Sequence, residues 1–266
     1  MRFVVGVAAG KGGVGKSSLT VNLALCLQLM GHRVGIMDAD IYGPSIRRML
    51  PEDRAPGNCT VNPEKIIPAE KNGIRFISMA HFLKEDAPVI VRAPIVNGVI
   101  KQFFHAVEWG ELDCLLIDFP PGTGDIQLTL MQEGSLCGGI VITTPQEVAL
   151  QDVSKAIALF HHMGVPVLGL VENMSYFQDQ KKYYPFGKGG GRRLALREGV
   201  LFLGEIPIDE DISRCCDEGL SLFDAAKDKE CAQAFRAIAN EVWDQLLSFE
   251  KLEGSYLKKI HLAWSP

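Results

Sequence analysis

Residues 10–18 read GKGGVGKSS and satisfy the spacing G-x-x-x-x-G-K-[ST] through Gly10, Gly15, Lys16 and Ser17. These residue types in this order suit one task, gripping a polyphosphate. The glycines let consecutive backbone N–H groups turn onto phosphate oxygens. Lys16 brings an ammonium to the terminal phosphates, and the Ser17 hydroxyl is a ligand for Mg²⁺. The whole run Gly10, Lys11, Gly12, Gly13, Val14, Gly15, Lys16, Ser17 and Ser18 is therefore a candidate cradle for a nucleoside triphosphate such as ATP. Lys11 is surplus to that cradle. It reads either as a solvated surface side chain or as a cation that reaches a triphosphate held by a second copy of the chain. A cation arriving in trans neutralises charge that develops during phosphoryl transfer, and such groups are worth about 10³–10⁵ in rate.

Three carboxylates fall where such a cradle needs them. VGIMDADIYGPS puts Asp38 and Asp40 at the carboxyl end of an apolar stretch, and CLLIDFPPGTGD does the same for Asp118. Ligands of open parallel sheets bind at that edge, and an acid ending a strand suits Mg²⁺. Ser17 and Asp118 are the candidate metal residues. Lys11 and Lys16 are the candidate catalytic ones. Asp38 and Asp40 are expected to point to opposite faces and so to hold different roles. Pro121, Gly122, Thr123, Gly124 and Asp125 form a candidate switch whose backbone moves as a γ-phosphate appears or leaves. Any one of these acids alone would read as a strand-end turn residue; three on one edge argue for a site.

The elements that must position these groups are legible as alternating patterns. FVVGVA, RVGIMD, IRFIS, DCLLIDF, GGIVITT, VPVLGLVEN and VLFLGEIP read as strands, with helices expected after Ser17, Gly43, Pro94, Gly124, Gln146, Gly189, Asp209 and Asp228. This is the pattern of an α/β fold, a mostly parallel twisted sheet with helices on both faces. One domain is expected over residues 2–249, with a C-terminal tail at 250–266. Residues 51–73, polar and Pro-rich, read as an inserted surface loop, and 175–190 interrupt the alternation. In the tail, Tyr256, Leu257, Ile260 and Trp264 form one helical face; packing or fraying is expected there rather than membrane contact.

Composition narrows the partners. A net charge of −5 gives no global basic footprint for nucleic acid. No apolar run reaches the length of a membrane span. The apolar N-terminus feeds straight into the phosphate cradle, so it reads as a first strand rather than a leader, and a cytoplasmic protein is expected. Seven cysteines, an odd number with no C-x-x-C pair, argue against a disulfide framework.

Taken together, KGGVGKSS, MDADIYGPS, APVIVRAPIVNGVIKQF, LLIDFPPGTGD, TTPQEVALQDVSKAI, VENMSYF and FGKGGGRRLA resemble the deviant Walker A P-loop group that includes MinD and ParA. They are most similar to its Mrp/ApbC branch of iron–sulfur cluster carriers, over roughly residues 2–245. The resemblance implies a homodimer formed through the nucleotide site, slow Mg-ATP hydrolysis, and iron–sulfur client or scaffold proteins as partners. It implies that Lys11 acts in trans, Asp40 positions the attacking water and Asp38 supports the Mg²⁺ shell. It also implies that Asn173 reads the adenine edge, with Pro207 lining the base pocket. By residue type alone Asn173 is an amide at a strand end, whose paired donor and acceptor suit a purine edge.

One departure stands out. Members of that branch carry Cys-x-x-Cys shortly after NMSYF, but here the segment reads NMSYFQDQKKYYPFGKGGG and contains no cysteine. Thiolates are the usual cluster ligands, so the ligands of any cluster are unknown. Cys215 and Cys216 are the one adjacent pair, and neighbouring cysteines project divergently. The alternative to a cluster carrier or assembly protein is a nucleotide-gated binding module of the MinD/ParA kind, which recruits a partner or membrane without carrying a cluster.

Overall fold

The computed structural model describes residues 1–59, 62, 64–82 and 93–263, with the side chains of the last helix described as far as Lys251. Of the signature APVIVRAPIVNGVIKQF, residues 87–92 lie outside the described residues, as does Trp264 of the tail.

The first half contains β1 (Phe3–Ala9), α1 (Lys16–Leu29), β2 (Val34–Asp38), α2 (Ile46–Met49), β3 (Gly57–Asn58), β4 (Ile66–Ile67), β5 (Ala69–Lys71), β6 (Ile74–Ser78) and α3 (Ala93–His105). The second contains β7 (Cys114–Asp118), α4 (Asp125–Glu133), β8 (Gly138–Thr143), α5 (Glu147–His162), β9 (Val167–Glu172), β10 (Phe177–Gln178) and β11 (Lys182–Tyr183). It ends with α6 (Gly190–Glu198), β12 (Phe202–Glu205), α7 (Glu210–Glu218), α8 (Leu222–Ala225) and α9 (Glu230–Ala263).

Eight strands form one sheet in the order β12-β9-β8-β1-β7-β2-β6-β5. Every pair is parallel except β5 with β6. The strands carry apolar residues at nearly every position because both faces are covered. The pleat sorts them: Phe3, Val5, Val7 and Ala9 of β1, with Cys114 and Leu116 of β7, face the core that contains α1 and α9. Ala8, Leu115 and Ile117 face the core that contains α3, α4, α5 and α6. Helix α1 is apolar almost all round because it lies between the sheet and α9, and a helix covered on most sides needs no polar face.

The chain leaves β1 for β2 and β6 on one side, returns to β7, then continues to β8, β9 and β12 on the other. The carboxyl end of β1 is thus a point where the winding reverses, where doubly wound sheets leave a crevice for ligands. The register sets Asp38 of β2 beside Asp118 of β7 at that edge.

The described residues of 51–73 carry more regular structure than the surface loop expected there. They contain β3, β4 and β5, and β5 turns into β6 through Asn72 and Gly73, both at positive φ (50° and 77°). That is the Asn-Gly signal of a two-residue hairpin. The outer side of β5 is covered in turn, since the Asp53 and Arg54 amides donate to the Glu70 carbonyl at 2.9 and 3.2 Å. Residues 175–190 contain the antiparallel pair β10–β11. Helix α9 runs unbroken from Glu230 to Ala263, past the expected domain–tail boundary. Among the described residues, no helix is long and apolar enough to cross a membrane.

Phe235 of α9 is 2% exposed within the first core. Phe235→Ala is expected to cost about 3–5 kcal/mol of stability, read from urea unfolding as a lowered midpoint at unchanged slope.

Candidate nucleotide site

The loop after β1 turns into α1 through Gly15, at φ 88°. A Cβ there would be strained by that φ and would collide with the Asn173 side-chain amide. The clash exists because the Asn173 amide donates to the Val14 carbonyl at 2.8 Å. The end of β9 and the phosphate loop are therefore tied directly together. Gly10 approaches the α5 backbone at Asp152 and Val153, where a Cβ has no room.

Lys16, 7% exposed, lies at the first turn of α1 with its ammonium 2.8 Å from Asp118 Oδ2 and 3.7 Å from Asp40 Oδ2. The Ser17 hydroxyl donates to Asp118 Oδ2 at 2.6 Å, and Thr20 Oγ1 donates to Asp118 Oδ1 at 2.9 Å. A fully buried carboxylate is costly unless paired, and Asp118 has both a cation and two hydroxyl donors. Ser17, Lys16, Asp40 and Asp118 are thus brought together.

Asp38 is arranged differently. Its carboxylate is fully buried and accepts from Ser78 Oγ at 2.8 Å, from the Asp40 amide at 3.2 Å and from the Ile46 amide at 3.4 Å. Burial pushes its pKa up to about 7, with the neighbouring Asp118 adding to the rise. Asp40, half-buried, is raised too, chiefly by desolvation and against the pull of Lys16.

The expectation that Asp38 and Asp40 face opposite ways because they are two apart on a strand is corrected here. Residues two apart on a strand share a face, and β2 ends at Asp38. Burial separates the two acids instead: Asp38 braces the loop that follows it, while Asp40 lines the cavity beside Lys16.

Two adjoining cavities open on this edge. One, of about 210 Å³, is lined by Lys11, Gly12, Gly13, Lys16, Ser17 and Asp40 among others. The other, of about 520 Å³, is lined by Asn173, Met174, Phe186, Pro207, Ile208 and Cys216 among others. Gly15, Ser18 and Met49 line both. Lys11 is half-buried, and among the described residues it has no carboxylate within ion-pair distance.

The segment Pro121–Asp125 crosses the edge beside β1, where the Gly122 amide donates to the Ala9 carbonyl at 3.2 Å. Buried Gln127 holds this segment. Its Oε1 accepts from the Gly124 amide at 2.8 Å, and its Nε2 donates to the carbonyls of Pro120 and Pro121 at 3.0 and 3.1 Å.

The two adjacent cysteines diverge. Cys215 is packed into the core, while Cys216 lines the larger cavity with its sulfur 3.2 Å from Ser18 Oγ. Burial raises both thiols, and a thiolate is what a soft metal needs. Among the described residues no three His, Cys, Asp or Glu side chains group to hold a metal ion.

The family model described as NUBPL iron-transfer P-loop NTPase, of the ParA group, matches residues 1–243. The chain belongs to that family. Among curated relatives, the iron–sulfur cluster carrier protein of Aquifex aeolicus is 44% identical over 246 residues, 90% of this chain and 66% of that protein. The carrier protein of Methanocaldococcus jannaschii is 44% identical over 255 residues, 93% of this chain and 84% of its own. The chain therefore spans about two thirds of the Aquifex relative. A nucleotide-binding protein from Archaeoglobus fulgidus, solved in complex with ADP, has a TM-score of 0.71 at 38% identity, over 82% of this chain and 86% of its own. The cell division ATPase MinD of Pyrococcus furiosus, at 21% identity, shares the fold with a TM-score of 0.69 over 92% of this chain and 99% of its own.

Three supporting side chains escaped the sequence reading. Thr20 lies one turn after Lys16, on the same helix face, so its spacing carried the signal. Gln127 stands three residues after Gly124, the position of a side chain that reaches back to a helix start. Ser78 had no local signal, because it meets Asp38 only through the pairing of β6 with β2.

Thr20→Val keeps the side chain's shape but removes one donor from the buried Asp118. It is expected to cost about 1.5–3 kcal/mol, measured by denaturation without nucleotide. A Ser substitution, which restores the hydroxyl, recovers most of the loss.

Proposed function

We propose that this chain is a dimeric Mg-ATPase that serves iron–sulfur cluster assembly. The observation that carries the reading is the continuity of the two cavities: a cationic, glycine-lined end meets an apolar end bearing an amide, and Asn173 is hydrogen-bonded to the phosphate loop between them. That shape and charge suit a triphosphate at one end and an adenine at the other. Asn173 offers its carbonyl oxygen and remaining N–H to the base edge, and Pro207 lines the pocket.

A triphosphate draws the Lys16 ammonium away from Asp118, which frees Asp118 and the Ser17 hydroxyl for a cation. Both are hard oxygen donors and suit Mg²⁺. Ser17 and Asp118 would hold the cation, with Asp38 bracing the adjoining backbone, and it would supply positive charge to the phosphate oxygens. Asp40 orients the water that adds to the γ-phosphorus as ADP departs. Lys11, which lines the smaller cavity, crosses to the partner copy's phosphates. The Pro121–Asp125 segment, tethered by Gln127, responds to the γ-phosphate.

The cluster itself is cargo, and the cysteines here are a poor match to it. Cys215 packs in the core and Cys216 faces the nucleotide cavity. This favours, as a second reading, a nucleotide-gated module that binds its partner without carrying a cluster.

Lys11→Ala is expected to retain ATP binding and lose nearly all hydrolysis. Mixing it with Asp40→Ala should restore activity, because one hybrid site then has both residues. A mixture that forms hybrid dimers yet stays inactive overturns the trans assignment. Anaerobic reconstitution with iron and sulfide separates the two readings. Stoichiometric cluster, lost in a Cys215→Ser/Cys216→Ser chain, supports a carrier, whereas no cluster at any ratio supports the module.

A further inference from the structure

The larger cavity has one wall fixed by backbone pairing. The Ile206 amide donates to the Glu172 carbonyl at 2.8 Å, the Ser175 amide to the Ile206 carbonyl at 3.0 Å, and the Ile208 amide to the Tyr176 carbonyl at 2.7 Å. Pro207 and Ile208 are therefore held as a firm apolar surface. A different device supplies the ring that lines the same cavity. Phe186 lies in a turn closed by the Gly187 amide donating to the Tyr184 carbonyl at 3.2 Å.

That turn is anchored on both sides of Phe186. Tyr184 packs its ring 6.3 Å from that of Tyr176 and has the Lys188 ammonium 4.9 Å over its face. The Arg193 guanidinium donates to the Lys188 carbonyl at 2.8 Å. Phe186 takes no part in this anchoring. It is 39% exposed, and among the described residues it makes no ring–ring or cation–ring contact. Tyr176, Tyr183 and Tyr184 of the same segment each lie beneath a lysine ammonium. Phe177, also exposed, lines a neighbouring groove instead. An apolar ring held at the rim of an apolar cavity, with its faces unpaired, is poised for a flat ligand.

We propose that Phe186 stacks on the nucleobase, closing the cavity from the side away from the phosphate loop. The assignment rests on the nucleotide reading above. It divides recognition between two residues: Phe186 contributes affinity for any purine face, and the Asn173 amide selects among purine edges. Stacking tolerates base identity because every base presents a π-face.

The test measures Mg²⁺-dependent binding of ATP, GTP and inorganic tripolyphosphate by calorimetry on the full chain and on Phe186→Ala, Phe186→Leu and Phe186→Trp variants. Phe186→Ala is expected to weaken ATP by about 5- to 100-fold, as loss of one base–aromatic stack does. GTP, if bound by the wild type, should weaken by the same factor, and tripolyphosphate should be unchanged. Phe186→Leu should recover little, and Phe186→Trp should bind at least as well as the wild type. Unchanged ATP affinity in Phe186→Ala overturns the assignment while leaving the nucleotide reading intact. So does an equal loss for tripolyphosphate, which would mean a collapsed loop. A wild-type chain that ignores ATP overturns the nucleotide reading and this assignment with it.

Discussion

The structure turns on a buried ammonium. Lys16 sits almost out of solvent between Asp118 and Asp40, and the fold around it keeps that arrangement from being ruinous. Removing a lysine and two acids from water is expensive, and attraction offsets the cost only when the remaining lone pairs also find donors. Ser17 and Thr20 provide two on the helix that bears Lys16. A separate set of partners, from β6 and the start of α2, serves Asp38. The sheet brings these pieces within reach by pairing β2 with both β7 and β6, so the order of strands is also the order of electrostatic support.

This explains what could be read from the chain alone. The phosphate loop, the main-sheet strands and the acids at their ends are local features: a spacing, a short apolar run, a charge at its end. They survive translation into structure because each depends on neighbours a few residues away. The partition of Asp38 from Asp40 does not, since it depends on where β2 stops and on Ser78, forty residues distant in sequence. Cys215 and Cys216 show the same limit. Adjacency in sequence says the thiols diverge, but only the packing of α7 sends one into the core and the other to the cavity beside Ser18. The hairpin at Asn72–Gly73 is a different lesson, because its signal was local and was masked by the prolines and polar residues around it.

The link between Asn173 and the Val14 carbonyl connects two halves of the site that lie far apart in the chain. Val14 belongs to the glycine-rich loop before α1, Asn173 to the strand end that lines the larger cavity. A residue at 15 with any side chain would push the amide aside. Thus the glycine that shapes the loop also sets how closely the end of β9 approaches it.

The two flanks of the main sheet bear on how the molecule avoids unwanted company. A bare strand flank is a template for another chain, and natural sheets blunt it with short strands, charge or cover. Here β12 is only four residues long and is followed at once by Ile206–Pro207, while β5 is overlaid by Asp53 and Arg54 and carries Glu70 and Lys71. Sideways growth into fibrils or runaway ladders is thereby discouraged at both margins. The exposed glycines Gly12 and Gly13 lie away from both margins, in the loop that follows β1.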